Sequence, residues 1–164
     1  MGKMTGYASI DKPQDKGHTF FERNPIIPDM SIYNAIQAIN YFYKDKKAID
    51  CLDLTIDYNK LINDSVTISR ALKELGVKKG QIVSISMPNY YQAVASFMAC
   101  NRIGAIATFL NAKAEEEEIC QYLNLFESPV FINFDKSDEE NMRIKNKTGV
   151  RNIVTLKKDD VSNP

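Results

Sequence analysis

The clearest hydrophobic pattern in the chain is that of an amphipathic helix. After Asp57, apolar or small residues recur at intervals of three and four, and Gly76 follows the last of them. The spacing predicts a helix that Asp57 caps and that ends at Gly76 in a left-handed conformation, with one buried stripe. That stripe comprises Leu61, Ser65, Ile68, Leu72 and Leu75.

A shorter helix of the same type is predicted after Ser31, whose hydroxyl can cap it. Residues 48–56 predict a short β-hairpin with Asp53 at its turn, because Asp tolerates turn conformations. The expected buried stripe of the short helix comprises Ile32, Ala35, Ile36, Ile39 and Tyr43.

Four short apolar runs then alternate with helical segments, and because strands in this order form parallel sheets with right-handed crossovers, the pattern predicts an α/β fold. The expected architecture is a parallel sheet of roughly four strands with flanking helices. Helices are expected over Tyr90–Ile103 with Asn89 as cap, from the acidic run Glu115–Glu118 that opens the next helix, and over Asp138–Asn146. The predicted strands are Ile82–Met87, Ala105–Leu110, Val130–Phe134 and Asn152–Leu156.

The first 28 residues lack this periodicity and contain several turn-forming residues. They predict an extended N-terminal arm over 1–28, with Tyr7 and the Phe20-Phe21 pair as anchors, followed by an α/β subdomain over 29–164. The turn-forming residues are Pro13, Gly17, Pro25 and Pro28.

Composition excludes several classes of function. Lys plus Arg and Asp plus Glu both total 21, so no net charge draws the chain to nucleic acid or to an anionic membrane. The long apolar run 93–110 is interrupted by Asn101, Arg102 and Gly104, which argues against a membrane span, and residues 1–20 contain no apolar core of a secretory signal. Three widely spaced cysteines predict reduced thiols and a cytoplasmic location.

Motifs that hold phosphates or perform acid–base chemistry are absent from the sequence. Neither G-x-G-x-x-G nor G-x-x-x-x-G-K-[ST] occurs, and no two glycines are adjacent. The single histidine, His18, lies in the predicted arm, where a structural or solvated role is expected rather than that of a catalytic base. The carboxylates of 138–140 and 159–160 are expected to be solvated surface groups, and no metal site is predicted.

An ordered series of segments resembles the adenylate-forming acyl-CoA synthetase family. The segment Leu72–Asn89 resembles the family's LKELGVKKGD-V-I--PN, and Phe97–Ala105 resembles its AxLACxxAGA. Ile56–Leu61 is similar to the start of the family's first core helix, with Asp57 where the family has Thr. Thr108–Asn111 stands where the family commonly has Val-Pro-Leu-Asn, and Tyr7–Pro13 resembles the arm of some bacterial members.

The resemblance implies a role in a larger protein. The parent enzyme would be an AMP-forming acid–CoA ligase of the fatty acid metabolism type. It would join a carboxylic acid to CoA through an acyl-adenylate, with ATP, Mg²⁺ and CoA as cofactors. The family's phosphate loop, ribose-binding Asp and catalytic Lys have no counterpart in this sequence. We therefore expect a non-catalytic N-terminal fragment that binds no cofactor itself, contacts the remainder of the ligase and self-associates through exposed apolar surface.

One residue is a candidate for ligand binding. Lys113 follows the second predicted strand, and parallel sheets place ligands beyond the carboxyl ends of their strands. The resemblance implies that this position lies near the phosphates of CoA, although a solvated loop lysine is the alternative. The rival interpretation of the whole chain is a stand-alone doubly wound α/β binding or interaction module without ligase activity.

Overall fold

The computed structural model describes residues 29–51 and 54–157, which form five helices and six strands. The arm at 1–28 with His18, the turn residue Asp53 and the last seven residues lie outside the described residues. The elements are α1 (Ile32–Ile39), β1 (Lys47–Cys51), β2 (Leu54–Asp57), α2 (Tyr58–Glu74), β3 (Ile82–Ser86), α3 (Tyr91–Ile103), β4 (Ile106–Leu110), α4 (Glu116–Leu125), β5 (Val130–Phe134), α5 (Asp138–Lys147) and β6 (Asn152–Leu156).

The predicted parallel sheet is confirmed. Its four strands lie in the order β4-β3-β5-β6, and each neighbouring pair is parallel. The predicted hairpin is also present as the antiparallel pair β1-β2. Because β3 and β5 lie at the centre of the sheet, most of their side chains are buried on both faces, and neither strand contains a charged residue.

Helices cover the sheet on both faces and create two cores. One core packs α2 and α3 against the sheet and comprises Leu72, Val77, Val83, Ile85, Met87, Ala93, Ala99, Cys100, Ala105, Val130 and Ile132. The other packs α4 and α5 against the opposite face and comprises Leu110, Ile119, Cys120, Leu123, Phe131, Ile144 and Val150. A third, smaller cluster joins the hairpin to α2 and α3 through Ile56, Leu61, Tyr91 and Ala95.

The ends of α2 are formed as predicted. The Asp57 carboxylate accepts a hydrogen bond from the backbone N–H of Lys60 at 2.7 Å, and Gly76 adopts a φ of +82°. At this end the N–H of Val77 donates to the carbonyl of Leu72, and the N–H of Gly76 donates to that of Lys73. This pair of bonds is the Schellman motif, which satisfies carbonyls that the helix leaves unpaired.

The predicted stripe on α1 is wrong in part. Ile32, Ile39 and Tyr43 are exposed, and the buried residue is Tyr33. The helix docks through Tyr33 because its backbone N–H donates to the side-chain oxygen of Asn101, and the Arg102 guanidinium lies 5.7 Å from the centre of its ring. The helix also ends at Ile39, so Tyr43 lies beyond it.

The predicted cap of α3 is also wrong, because the N-cap residue is Tyr90 and not Asn89. The N–H of Tyr90 donates to the carbonyl of Pro88 at 2.7 Å, which delays the first helical turn by one residue. The acidic run after β4 does begin a helix, as predicted, with Glu116, Glu117 and Glu118 in its first turn.

The end of α4 repeats the Schellman motif without a glycine. Glu127 has a φ of +48°, the N–H of Ser128 donates to the carbonyl of Leu123, and the N–H of Glu127 donates to that of Asn124. A side chain in this left-handed conformation costs about 1–2 kcal/mol, which glycine avoids.

We therefore expect Glu127→Gly to raise the free energy of unfolding by about 0.5–1 kcal/mol, since the strain removed exceeds the entropy that glycine adds to the unfolded chain. Chemical denaturation monitored by circular dichroism measures the change. Ala71→Gly, at an exposed position in the interior of α2, is the control and should lower stability by about 0.5–1 kcal/mol. An equal loss of stability in both variants would show that the backbone at Glu127 is not strained.

Candidate functional site at the carboxyl edge of the sheet

The loop after β4 is held against the neighbouring strand. The side-chain oxygen of Asn111 accepts a hydrogen bond from the N–H of Lys113 at 3.0 Å, and its carbonyl accepts one from the N–H of Ala114. The hydroxyl of Ser86, at the end of β3, donates to the same carbonyl at 3.4 Å. These bonds define a tight turn in which the backbone of Lys113 is ordered.

The structure places Lys113 where the sequence predicted it, beyond the carboxyl end of β4. The residue is exposed, and its ammonium group makes no ion pair or hydrogen bond with any residue in the described part of the chain. A cation in this position is available to an anionic ligand as a point charge.

The acidic run that follows Lys113 is partly neutralised by α5. Arg143 and Lys147 each donate to the Glu116 carboxylate at 2.8 Å. These hydrogen bonds lower the pKa of Glu116 and raise the pKa of both basic partners. The network joins α4 to α5 on the surface and does not include Lys113.

A partly buried chain of hydrogen bonds joins α5 to the ends of β5 and β6. The amide nitrogen of Asn133 donates to Asn141 at 2.8 Å, and the amide nitrogen of Asn141 donates to the hydroxyl of Thr155 at 2.9 Å. Asn133 is fully buried, and its side-chain oxygen has no partner among the described residues. The sequence reasoning missed this group, although a single Asn within the run VFINF was a visible signal.

An apolar groove of about 460 Å³ opens beside the same edge, between β1, the start of α3 and β4. Ile49, Val94, Phe97 and Phe109 line it, and the rings of Phe97 and Phe109 are 6.4 Å apart. Its polar rim consists of Asp50, Cys51 and Asn89. The groove was not predicted, because its walls come from elements that are distant in the sequence.

Tyr91 fixes the wall of this groove to α2. Its hydroxyl donates to the Asp64 carboxylate at 2.6 Å, and the Lys60 ammonium lies 3.3 Å from the same carboxylate oxygen. Burial, together with the negative charge of Asp64, raises the pKa of Tyr91 well above its usual range. The phenol therefore remains protonated and acts as a hydrogen-bond donor.

The cysteines offer no activated nucleophile in the cores. Burial raises the pKa of the Cys100 thiol to about 12 and also raises the pKa of Cys120, so both remain thiols at neutral pH. Within 29–51 and 54–157, no three metal-ligating side chains are grouped together. No helix in the described ranges is long and apolar enough to cross a membrane.

Comparison with known families gives a match over most of the chain. The profile of the AMP-binding enzyme family matches residues 37–164. Acetyl-coenzyme A synthetase from Coprinopsis cinerea is 40% identical over 81 residues, which cover 49% of this chain and 12% of that enzyme. The enzyme of the same name from Photobacterium profundum is 28% identical over 118 residues, covering 65% of this chain and 18% of that enzyme. The chain thus spans less than a fifth of these two relatives.

Solved structures share the fold. An anthranilate CoA ligase in complex with anthranoyl-AMP superposes with a TM-score of 0.72 at 23% identity, covering 79% of this chain and 26% of that one. Coronafacic acid ligase from Pectobacterium brasiliense gives 0.71 at 23% identity, with 82% and 27% covered. The α/β architecture described above is therefore that of part of a ligase domain.

The hydroxyl of Tyr91 allows a direct test of how the groove is anchored. Tyr91→Phe leaves the ring in place but removes the donor to Asp64, and we expect stability to fall by about 1–2 kcal/mol. The adjacent Tyr90→Phe is the control, because the Tyr90 ring packs 5.0 Å from that of Phe134 and its change should stay within about 0.5 kcal/mol. Equal losses of stability in urea denaturation would show that the hydroxyl of Tyr91 does not stabilise the fold.

Proposed function

Because the chain belongs to the AMP-binding enzyme family, we propose that it is an amino-terminal piece of an acid–CoA ligase that works through an acyl-adenylate. The observation that carries the proposal is the combination of a family match over 37–164 with a span of only 12% of the Coprinopsis cinerea relative. The ligase would use ATP, Mg²⁺ and CoA and would activate a carboxylic acid. The names of the matched ligases support this class of substrate.

Within that ligase, the proposed role of this chain is structural. The two cores support the sheet, and its carboxyl edge carries the exposed Lys113 next to an apolar groove. Catalysis by this chain alone is not expected, since its sequence lacks the glycine-rich phosphate loops and any counterpart of the family's catalytic Lys.

The remainder of the ligase is the proposed partner of the exposed apolar residues. Ile39, Phe42 and Leu125 are 71%, 86% and 72% exposed, which is unusual for side chains of this size. A cytoplasmic location is proposed from the free cysteines, because unpaired thiols are typical of reducing compartments.

The genomic sequence downstream of this segment tests the proposal most directly. A reading frame that continues into a Ser/Thr/Gly-rich loop ending in Lys would support the ligase. A reading frame that ends after this segment, in a protein that binds its ligand without ATP, would overturn the proposal. The chain would then be a stand-alone doubly wound module.

We expect the isolated 164-residue chain to bind ATP-Mg weakly, with a dissociation constant above the micromolar range, and to form no acyl-adenylate. The reason is the absence of a phosphate loop from its sequence. Isothermal calorimetry with ATP-Mg measures the binding, and a complete acyl-CoA synthetase is the positive control. Micromolar or tighter binding to a chain that circular dichroism shows to be folded would overturn the non-catalytic role.

Lys113 is proposed to contact the phosphates of CoA. Its support is the position at the carboxyl edge of a parallel sheet, the tight turn that orders its backbone, and an ammonium group without a partner among the described side chains. CoA enters after the adenylate has formed, so a contact with its phosphates would serve the second half-reaction alone.

In the complete ligase, Lys113→Ala should therefore raise the KM for CoA several-fold and leave acid-dependent pyrophosphate exchange unchanged. Lys113→Arg keeps the positive charge, so its KM for CoA should stay close to that of the unsubstituted ligase. Lys78→Ala, an exposed lysine at the amino end of β3, is the matched control and should change neither reaction. An unchanged KM in Lys113→Ala would remove this residue from the site.

A further inference from the structure

Strand β4 lies at the edge of the sheet but has the pattern of an interior strand. Its sequence, Ile106–Leu110, contains no charge and no proline, and it pairs with β3 in unbroken register. Phe109 is 52% exposed on the face of α3, and Ile106 is 51% exposed on the opposite face. Edge strands normally carry a lysine, a proline or a bulge that prevents further pairing, and β4 has none of these features.

The backbone of β4 shows which groups are available for pairing. The N–H of Ile106 donates to the carbonyl of Gln81, so Ile106, Thr108 and Leu110 direct their peptide groups toward β3. Ala107 and Phe109 therefore direct theirs to the open edge, where no strand of the described residues pairs.

We propose that a second copy of this chain pairs with β4 in antiparallel orientation, about a two-fold axis at Thr108. In this register Ala107 of each copy lies opposite Phe109 of the other, and the two residues exchange both hydrogen bonds. The large Phe109 ring meets the smallest side chain of the strand on the same face. Two four-stranded sheets become one continuous sheet, and the interface is isologous.

The other registers are disfavoured by hydrogen bonds that already exist. An axis at Ala107 would require Ala105, whose N–H already donates to the carbonyl of Cys100 at 2.9 Å. An axis at Phe109 would require Asn111, whose carbonyl accepts from the N–H of Ala114. The register centred on Thr108 uses only the peptide groups that face the open edge.

The surroundings of β4 favour association here, since exposed apolar side chains continue onto α3. Val94 of α3 is 40% exposed and lines the same groove as Phe109. The opposite edge strand, β6, is also uncharged, but its five residues are only partly exposed, whereas Ile106 and Phe109 of β4 are each more than half exposed. The larger exposed apolar surface therefore lies at the β4 edge.

Disulfide trapping tests the register. In a Cys51→Ser background, Thr108→Cys places two thiols across a non-hydrogen-bonded pair with Cα atoms about 4.5 Å apart, within the range of a disulfide. We expect a covalent dimer under mild oxidation. Ile106→Cys is the matched control, because its two copies would lie about 14 Å apart along the strands and should remain unlinked.

Light scattering on the unmodified chain tests the association itself. We expect twice the monomer mass, reduced to the monomer by Phe109→Lys but not by Met142→Lys, which replaces a residue of similar exposure on α5. A monomer at every concentration would overturn the proposal, as would a dimer that Phe109→Lys leaves intact. Preferential linking through Ile106→Cys would overturn the register. None of these results depends on whether the chain is part of a ligase.

Discussion

Coverage of β3 and β5 on both faces is the constraint on which the rest of the structure depends. A strand in the middle of a parallel sheet has no face left for water, so each face needs a helix layer. Two helices on each side provide these layers. The loops that carry Lys113 and the end of β3 meet at one edge because all four strands are parallel.

The same burial requires polar side chains inside the fold to find hydrogen-bond partners there. The hydroxyls of Ser84 and Ser128 are both buried and lie 2.6 Å apart, so each satisfies the other. Asn133 is paired through its nitrogen with Asn141, while its oxygen has no partner among the described residues. Polar groups are therefore buried at both ends of β5, next to Ser128 at its amino end and at Asn133 toward its carboxyl end.

Coverage also explains the contrast between the interior and the edges. β3 and β5 are covered on both faces, whereas in β4 the side chains of Phe109 and Ile106 are exposed to solvent on opposite faces. The groove beside Phe109 and the open edge of β4 are thus two parts of one incompletely covered surface.

The sequence by itself determined the elements and the family. Asp57, Gly76 and the apolar runs specify local structure through capping, backbone conformation and burial, which operate over a few residues. The position of Lys113 beyond β4 followed from the order of the strands. The strand order, the groove and the amide chain from Asn133 to Thr155 depended on tertiary structure, because each joins residues distant in the sequence. The same reason explains the error at α1, where docking on Asn101 selected Tyr33 over the more apolar stripe.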